Sequence, residues 1–260
     1  MQTPHLPLAR RLAAAGLLVA VGAGATAANA QGTYASLNTP RFEFQYDRAL
    51  SELDVRTQTE FLEEDYASIQ KELGFEPKME IRVRIYGSVG KFLAETKLGS
   101  PWRGALFARG ILHSQPTQAL VQRNILESGL AYELAMAYLD QAGNDGCPRW
   151  LREAYAVHHS GILPDLTTPV GARLASFSDL EQDLQLHQKP PQLEDVQYIL
   201  GQTYLFLINR FGTAKTMALY RQFDGTRSIE TVFRKHLGEE FSSVESAWAK
   251  YIKAKTSRVR

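Results

Sequence analysis

Glu133 is the residue that first calls for a chemical explanation. Between Gly129 and Leu139 it is the sole ionisable side chain apart from Tyr132 and Tyr138, in a stretch otherwise made of Leu, Ala and Met. A helix so apolar is expected to be buried on most sides. A buried carboxylate is costly unless it is paired, hydrogen-bonded or bound to a metal. Glu133 therefore needs a partner, or else it occupies the one wet edge of its helix. A second carboxylate can be placed by counting. After Met136 the helix continues for about seven residues, roughly 10 Å, to the turn Gly143-Asn144-Asp145-Gly146. A return helix beginning near Pro148 carries Glu153 about seven residues past that turn. The two counts bring Glu153 level with Met136.

The residues around Glu133 sharpen the question. In zinc proteases the pattern H-E-x-x-H sets two imidazoles at i and i+4 on one helix face, and the Glu acts as general base on the metal-bound water. The same five positions here read Tyr132-Glu133-Leu134-Ala135-Met136. The base position is filled and neither histidine is present. The return helix, Pro148-Arg149-Trp150-Leu151-Arg152-Glu153-Ala154-Tyr155-Ala156, resembles the P-x-W-L-x-E-G-x-A element of the peptidase MA-like, gluzincin group of metallohydrolases, with Ala154 where that family has Gly. The element "IRVRIYGSVGKF", Pro101-Trp102-x-Gly104 before a third strand, and the ending "YLFLINRFG…SIETVFRKHLG…FSSVESAWAKYI" are similar to the same family, so the resemblance covers most of the chain. It implies a zincin-like fold with Glu133 at the general-base position and Tyr132, Met136 and Glu153 at the metal-ligand positions. It also implies Trp150 and Tyr155 at the cleft, and a third strand whose edge pairs with an extended peptide.

The departures from that family decide the expected chemistry. Tyr132 is a neutral phenol with an ordinary pKa of about 10, and Met136 offers a soft thioether suited to Cu(I) rather than Zn²⁺. Glu153 with Glu133 alone cannot fix a tetrahedral zinc that keeps an open position. Zinc, the family's cofactor, is not expected, nor is any other. His158 and His159 lie five and six positions beyond Glu153, turned roughly 140° and 240° away from it at 100° per residue. They read as surface or capping histidines near Gly161 rather than a relocated metal site. Cys147 reads as an ordinary thiol. No G-x-S-x-G, phosphate-cradling glycine loop or C-x-x-C pair is present.

Those residues need elements to hold them. "RFEFQYD" (Arg41 to Asp47) and "MEIRVRIY" (Met79 to Tyr86) alternate as half-buried strands, and helical spacing runs from Leu53 to Leu73 between them. Ser88 caps a helix through Leu98, and a third strand is expected near Ala105 to Leu112. Beyond it, helices are expected at Thr117 to Gln141, Arg149 to Ser160, Leu180 to His187, Leu193 to Phe211, Thr213 to Phe223, Ile229 to Leu237 and Ser243 to Ala254. A small sheet followed by helices is an α+β arrangement.

Arg10-Arg11, the apolar run Leu12 to Val21 and Ala28-Asn29-Ala30 have the layout of a cleaved export signal over residues 1–30. Its removal takes two of the 29 basic residues and none of the 28 acidic ones, leaving a net charge of −1. That balance gives no reason to expect a nucleic-acid or membrane-surface partner, and one cysteine cannot form an internal disulfide. Residues 31–260 read as one domain, sheet-rich over 31–115 and helical over 116–260. The expectation is a periplasmic or secreted, non-catalytic metallopeptidase-like protein, a pseudoenzyme, binding a peptide or envelope protein in the former active-site cleft. An active hydrolase with an unconventional site and a purely structural envelope domain are the alternatives.

Overall fold

The alternation in the two apolar strand segments has a direct outcome in the computed structural model, which describes residues 33–98, 103–142, 146–169, 174–186 and 192–257. Strand β2 (Phe42–Asp47) buries Phe42 and Phe44, and β3 (Ile81–Ile85) buries Ile81, Val83 and Ile85. Side chains two apart share a face of a strand, so these five make the inner surface of the sheet. Helix α1 (Glu52–Leu73) joins the two parallel strands and lays Leu62, Tyr66, Ile69 and Leu73 against them. Ser51 and Asp54 form a capping box at its start. A short strand, β1 (Tyr34–Asn38), pairs antiparallel with β2 on its outer side. It has no fully buried residue to give it a pattern.

After β3 comes α2 (Val89–Thr96), capped by Ser88 as expected. The expected single third strand is instead a hairpin, β4 (Ala105–Ala108) and β5 (Ile111–Ser114). The two residues between them, Arg109 and Gly110, have φ of 53° and 73°. Left-handed conformations at both centres of a two-residue loop match the twist of a hairpin. The sheet order is β1-β2-β3-β5-β4, so β1 and β4 are its edges.

The helical half follows as α3 (Thr117–Gln122), α4 (Leu126–Gln141), α5 (Arg149–His159), α6 (Phe177–Leu186), α7 (Gln192–Phe211), α8 (Thr213–Leu219), α9 (Ile229–Leu237) and α10 (Phe241–Thr256). The expected helix from Thr117 to Gln141 is broken, because Asn124 turns left-handed at φ 53° between α3 and α4. Helix α5 packs between α4 and α7. Trp150 of α5 stacks on Phe177 of α6, which stacks on Trp248 of α10, and this aromatic column ties the last helix to the centre. The architecture is α+β, a small mixed sheet leading into a mainly helical half. No helix among the described residues is long and apolar enough to cross a membrane. The expected leader, Pro101, Trp102, residues 143–145 and His187 lie outside the described residues.

Candidate functional site

Helix α4 buries residues on nearly every side, and Glu133 is buried with them at 5% exposure, so it is not on a wet edge. Its partners come from the approach to the edge strand. Phe107 N of β4 donates to Glu133 Oε2 at 2.7 Å. The Arg103 guanidinium, just upstream of β4, places Nε 4.0 Å from Glu133 Oε1. Burial pushes the Glu133 carboxyl above the usual range, while Arg103, the Phe107 bond and Arg149 pull the other way.

The position of Arg103 is set by its surroundings. Gln115 Nε2 donates to Arg103 O at 2.7 Å, and Arg123 Nη1 donates to Gln115 Oε1 at 3.0 Å. Gln58 of α1 reaches the same point, its Nε2 donating to Gln115 O at 2.9 Å while its Oε1 accepts from Ser114 Oγ at 2.7 Å. Gln58, Ser114 and Gln115 are all fully buried, and their bonding is mutual, as a buried polar group requires. Next in the chain, Gly104 sits where a Cβ would come within 2.5 Å of Leu120 and 2.8 Å of Ile125. Any larger residue would push the start of β4 off α3.

Glu153 is 3% exposed on the facing helix α5. Arg149, one turn earlier, donates from Nε to Glu153 Oε1 at 3.0 Å. Burial pushes the Glu153 carboxyl up to about 7; the charge of Arg103 opposes the rise and that of Glu181 adds to it. Glu181 of α6 accepts the Trp150 N–H at 2.9 Å, so a carboxylate closes the first turn of α5. Arg103 thus acts on the acids of both helices, and Glu133 and Glu153 share one electrostatic site with Arg149 and Glu181.

The other expected site residues are placed differently. Tyr132 is buried, and its Oη has no hydrogen-bond partner among the described residues. Met136 is half-buried against the core. Trp150 and Tyr155, expected at a cleft, are core residues. Trp150 lies flat on Phe177 with ring centroids 4.1 Å apart. Tyr155 is fully buried beside Tyr204 and Tyr220 and donates to Glu72 Oε2 at 2.9 Å. The reason is the position of α5, which α4, α6 and α7 cover. His159 is likewise not a surface or capping residue. Its Nε2 lies 3.0 Å from Asp65 Oδ1 and its Nδ1 3.3 Å from Glu72 Oε2, both on α1. Burial disfavours its charge, but the two carboxylates prevail and raise its pKa to about 9. His158 stacks on Tyr204 with centroids 4.2 Å apart. Cys147 is buried, which pushes its thiol up to about 12 and favours the protonated form.

Among the described residues no group of three or more His, Cys, Asp or Glu is arranged to hold a metal ion. The donor set around Glu133 does not fit a catalytic zinc. Tyr132 and Met136, one residue before Glu133 and three after it, offer a phenol and a thioether, and both acids are already engaged by guanidinium groups and, for Glu133, a backbone N–H. The edge of β4 is also less open than expected, since the Phe107 N–H is taken up by Glu133 rather than left unpaired. Arg103 and Arg149 are the site residues that the motif reading missed. Arg149 was readable in principle, standing four residues before Glu153 where a helix brings two side chains together. Arg103 had no such local signal.

No family model and no curated protein matches the chain. Among solved structures it is similar to an M1 zinc metallopeptidase from Deinococcus radiodurans, a mutant bound to a Tyr-Ser-Ala substrate, at 15% identity and a TM-score of 0.40. The match covers 87% of this chain and 52% of that one, so this chain spans about half the length of the metallopeptidase.

Proposed function

We propose that the chain is an exported, non-catalytic, gluzincin-like protein that binds an extended peptide or protein partner at the former active-site face. One observation carries the reading: Glu133, at the general-base position, is buried and bonded to Phe107 N and placed against Arg103, with no imidazole on either side of it. A general base must be free to take a proton from a water beside a metal. A carboxylate held by a strand's backbone and a guanidinium is instead part of the scaffold. The binding role rests on β4, which lies at the edge of the sheet beside α4, where a strand can add through main-chain bonds. The leader-like segment at residues 1–30 supports a periplasmic or secreted location. A purely structural role is the second reading, and the occupied Phe107 N–H favours it.

Hydrolysis separates these readings from an active enzyme. Purified chain should cleave no member of a mixed peptide library, with or without added zinc. Chelator-sensitive cleavage that disappears in Glu133→Gln would overturn the proposal.

A further inference from the structure

Two buried carboxylates on helices that pack together need compensating positive charge, because an unpaired buried charge is strongly destabilising. In a metal site the ion supplies it, and it is the largest local charge there. Glu153 has Arg149 at 3.0 Å. Glu133 has no cation on its own helix, and the charge it meets is Arg103, at 4.0 Å and 12% side-chain exposure. We infer that Arg103 is the built-in counter-cation of Glu133, standing in the electrostatic place a metal would take and competing with any metal for that carboxylate.

Three features show that the placement is constructed rather than incidental. The Arg103 carbonyl is fixed by Gln115, whose amide is fixed in turn by Arg123. Gly104 lets the chain press against Leu120 and Ile125, a distance no side chain would allow. Arg103 also leads directly into β4, whose Phe107 N–H binds the other oxygen of the same carboxylate. One short segment therefore delivers both a charge and a donor to Glu133, and it binds the edge strand to α4. A planar guanidinium with several fixed donors suits that task better than an ammonium. Of the remaining charges nearby, Arg149 is engaged with Glu153, and Glu181 with the start of α5.

The inference deepens the reading above and rests on it only where zinc is concerned, so it is tested in two ways. The first is a double-mutant cycle in the full mature chain, followed by urea unfolding. Arg103→Met should raise the unfolding equilibrium constant about 100-fold or more, and adding Glu133→Gln should recover about tenfold or more of that loss. Should Arg103→Met not fold, Arg103→Lys and the Arg103→Met/Glu133→Gln pair should still fold. An Arg103→Met effect no larger than that of the exposed Arg56→Met, or strictly additive cycles, would overturn the inference. The second is zinc titration of Tyr132→His/Met136→His with and without Arg103→Met. Removing the guanidinium should tighten zinc binding about tenfold or more, and equal or weaker binding would contradict the competition. If neither variant binds zinc, Tyr132 and Met136 are not ligand positions and the gluzincin-like reading fails. The unfolding cycle then decides the role of Arg103 by itself.

Discussion

Glu133 Oε2 accepts the Phe107 N–H at 2.7 Å, joining the middle of helix α4 to the backbone of the edge strand. Replacing Glu133 with Ala removes the acceptor of that donor and the carboxylate that Arg103 faces. Glu133→Ala should therefore destabilise by about 3–5 kcal/mol. Glu133→Gln keeps an acceptor for Phe107 and should cost less, about 1–3 kcal/mol. Urea unfolding measures both. Amide exchange at Phe107 should accelerate in Glu133→Ala and stay slow in Glu133→Gln.

His159 gives the fold a pH dependence of definite sign. Its folded pKa of about 9 lies above the unfolded value of about 6.5. Its contribution is complete below about pH 6.5 and is lost as pH rises through about 9, on the order of 3 kcal/mol. For Glu72 burial opposes the charged form, but His159 outweighs it and holds the carboxyl low, so that share is lost toward acid instead. The stability difference between the native chain and His159→Gln should be large at pH 6 and shrink steadily up to pH 10. A constant difference across that range would show that the Asp65–His159–Glu72 contact is not an ion pair.

If the face of α4 at Glu133 receives a partner together with β4, a charge introduced one turn from Glu133 should interfere. Met136 is half-buried on α4, so Met136→Arg should leave the fold largely intact while weakening peptide binding about tenfold or more, as disruption of a binding-site anchor does. Fluorescence titration with a binder selected from a peptide library provides the measurement. Unchanged affinity in a folded variant would favour the purely structural reading.

Export makes a separate prediction. Material recovered from the cell envelope should begin at Gln31, after Ala28-Asn29-Ala30. Intact mass decides this, and a product still carrying Met1 would refute it.

The α+β architecture was legible because β2, β3 and α1 bury complete apolar faces, whose period survives in the sequence. Strand β1 was not, since its residues are half-exposed and carry no such pattern. The hairpin at Arg109-Gly110 and the break at Asn124 depend on left-handed backbone, which Gly110 and Asn124 permit without requiring and Arg109 does not signal. The site divides in the same way. Glu133 stood out as an acid in an apolar helix, which its burial reflects, and Glu153 was placed by counting back from the turn to the level of Met136. Trp150 and Tyr155 are buried because α4, α6 and α7 cover α5, which their proximity in sequence to Glu153 does not reveal. Arg103 lies 30 residues before Glu133, and only the sheet brings them together.

The zinc content of the purified chain tests the central claim most directly. After exposure to excess zinc and desalting, elemental analysis should find well under one equivalent per chain, because Tyr132 and Met136 offer a phenol and a thioether rather than imidazoles and Arg103 and Arg149 face the acids. One zinc per chain, lost on Glu153→Ala, would contradict the account and make this a metal site after all.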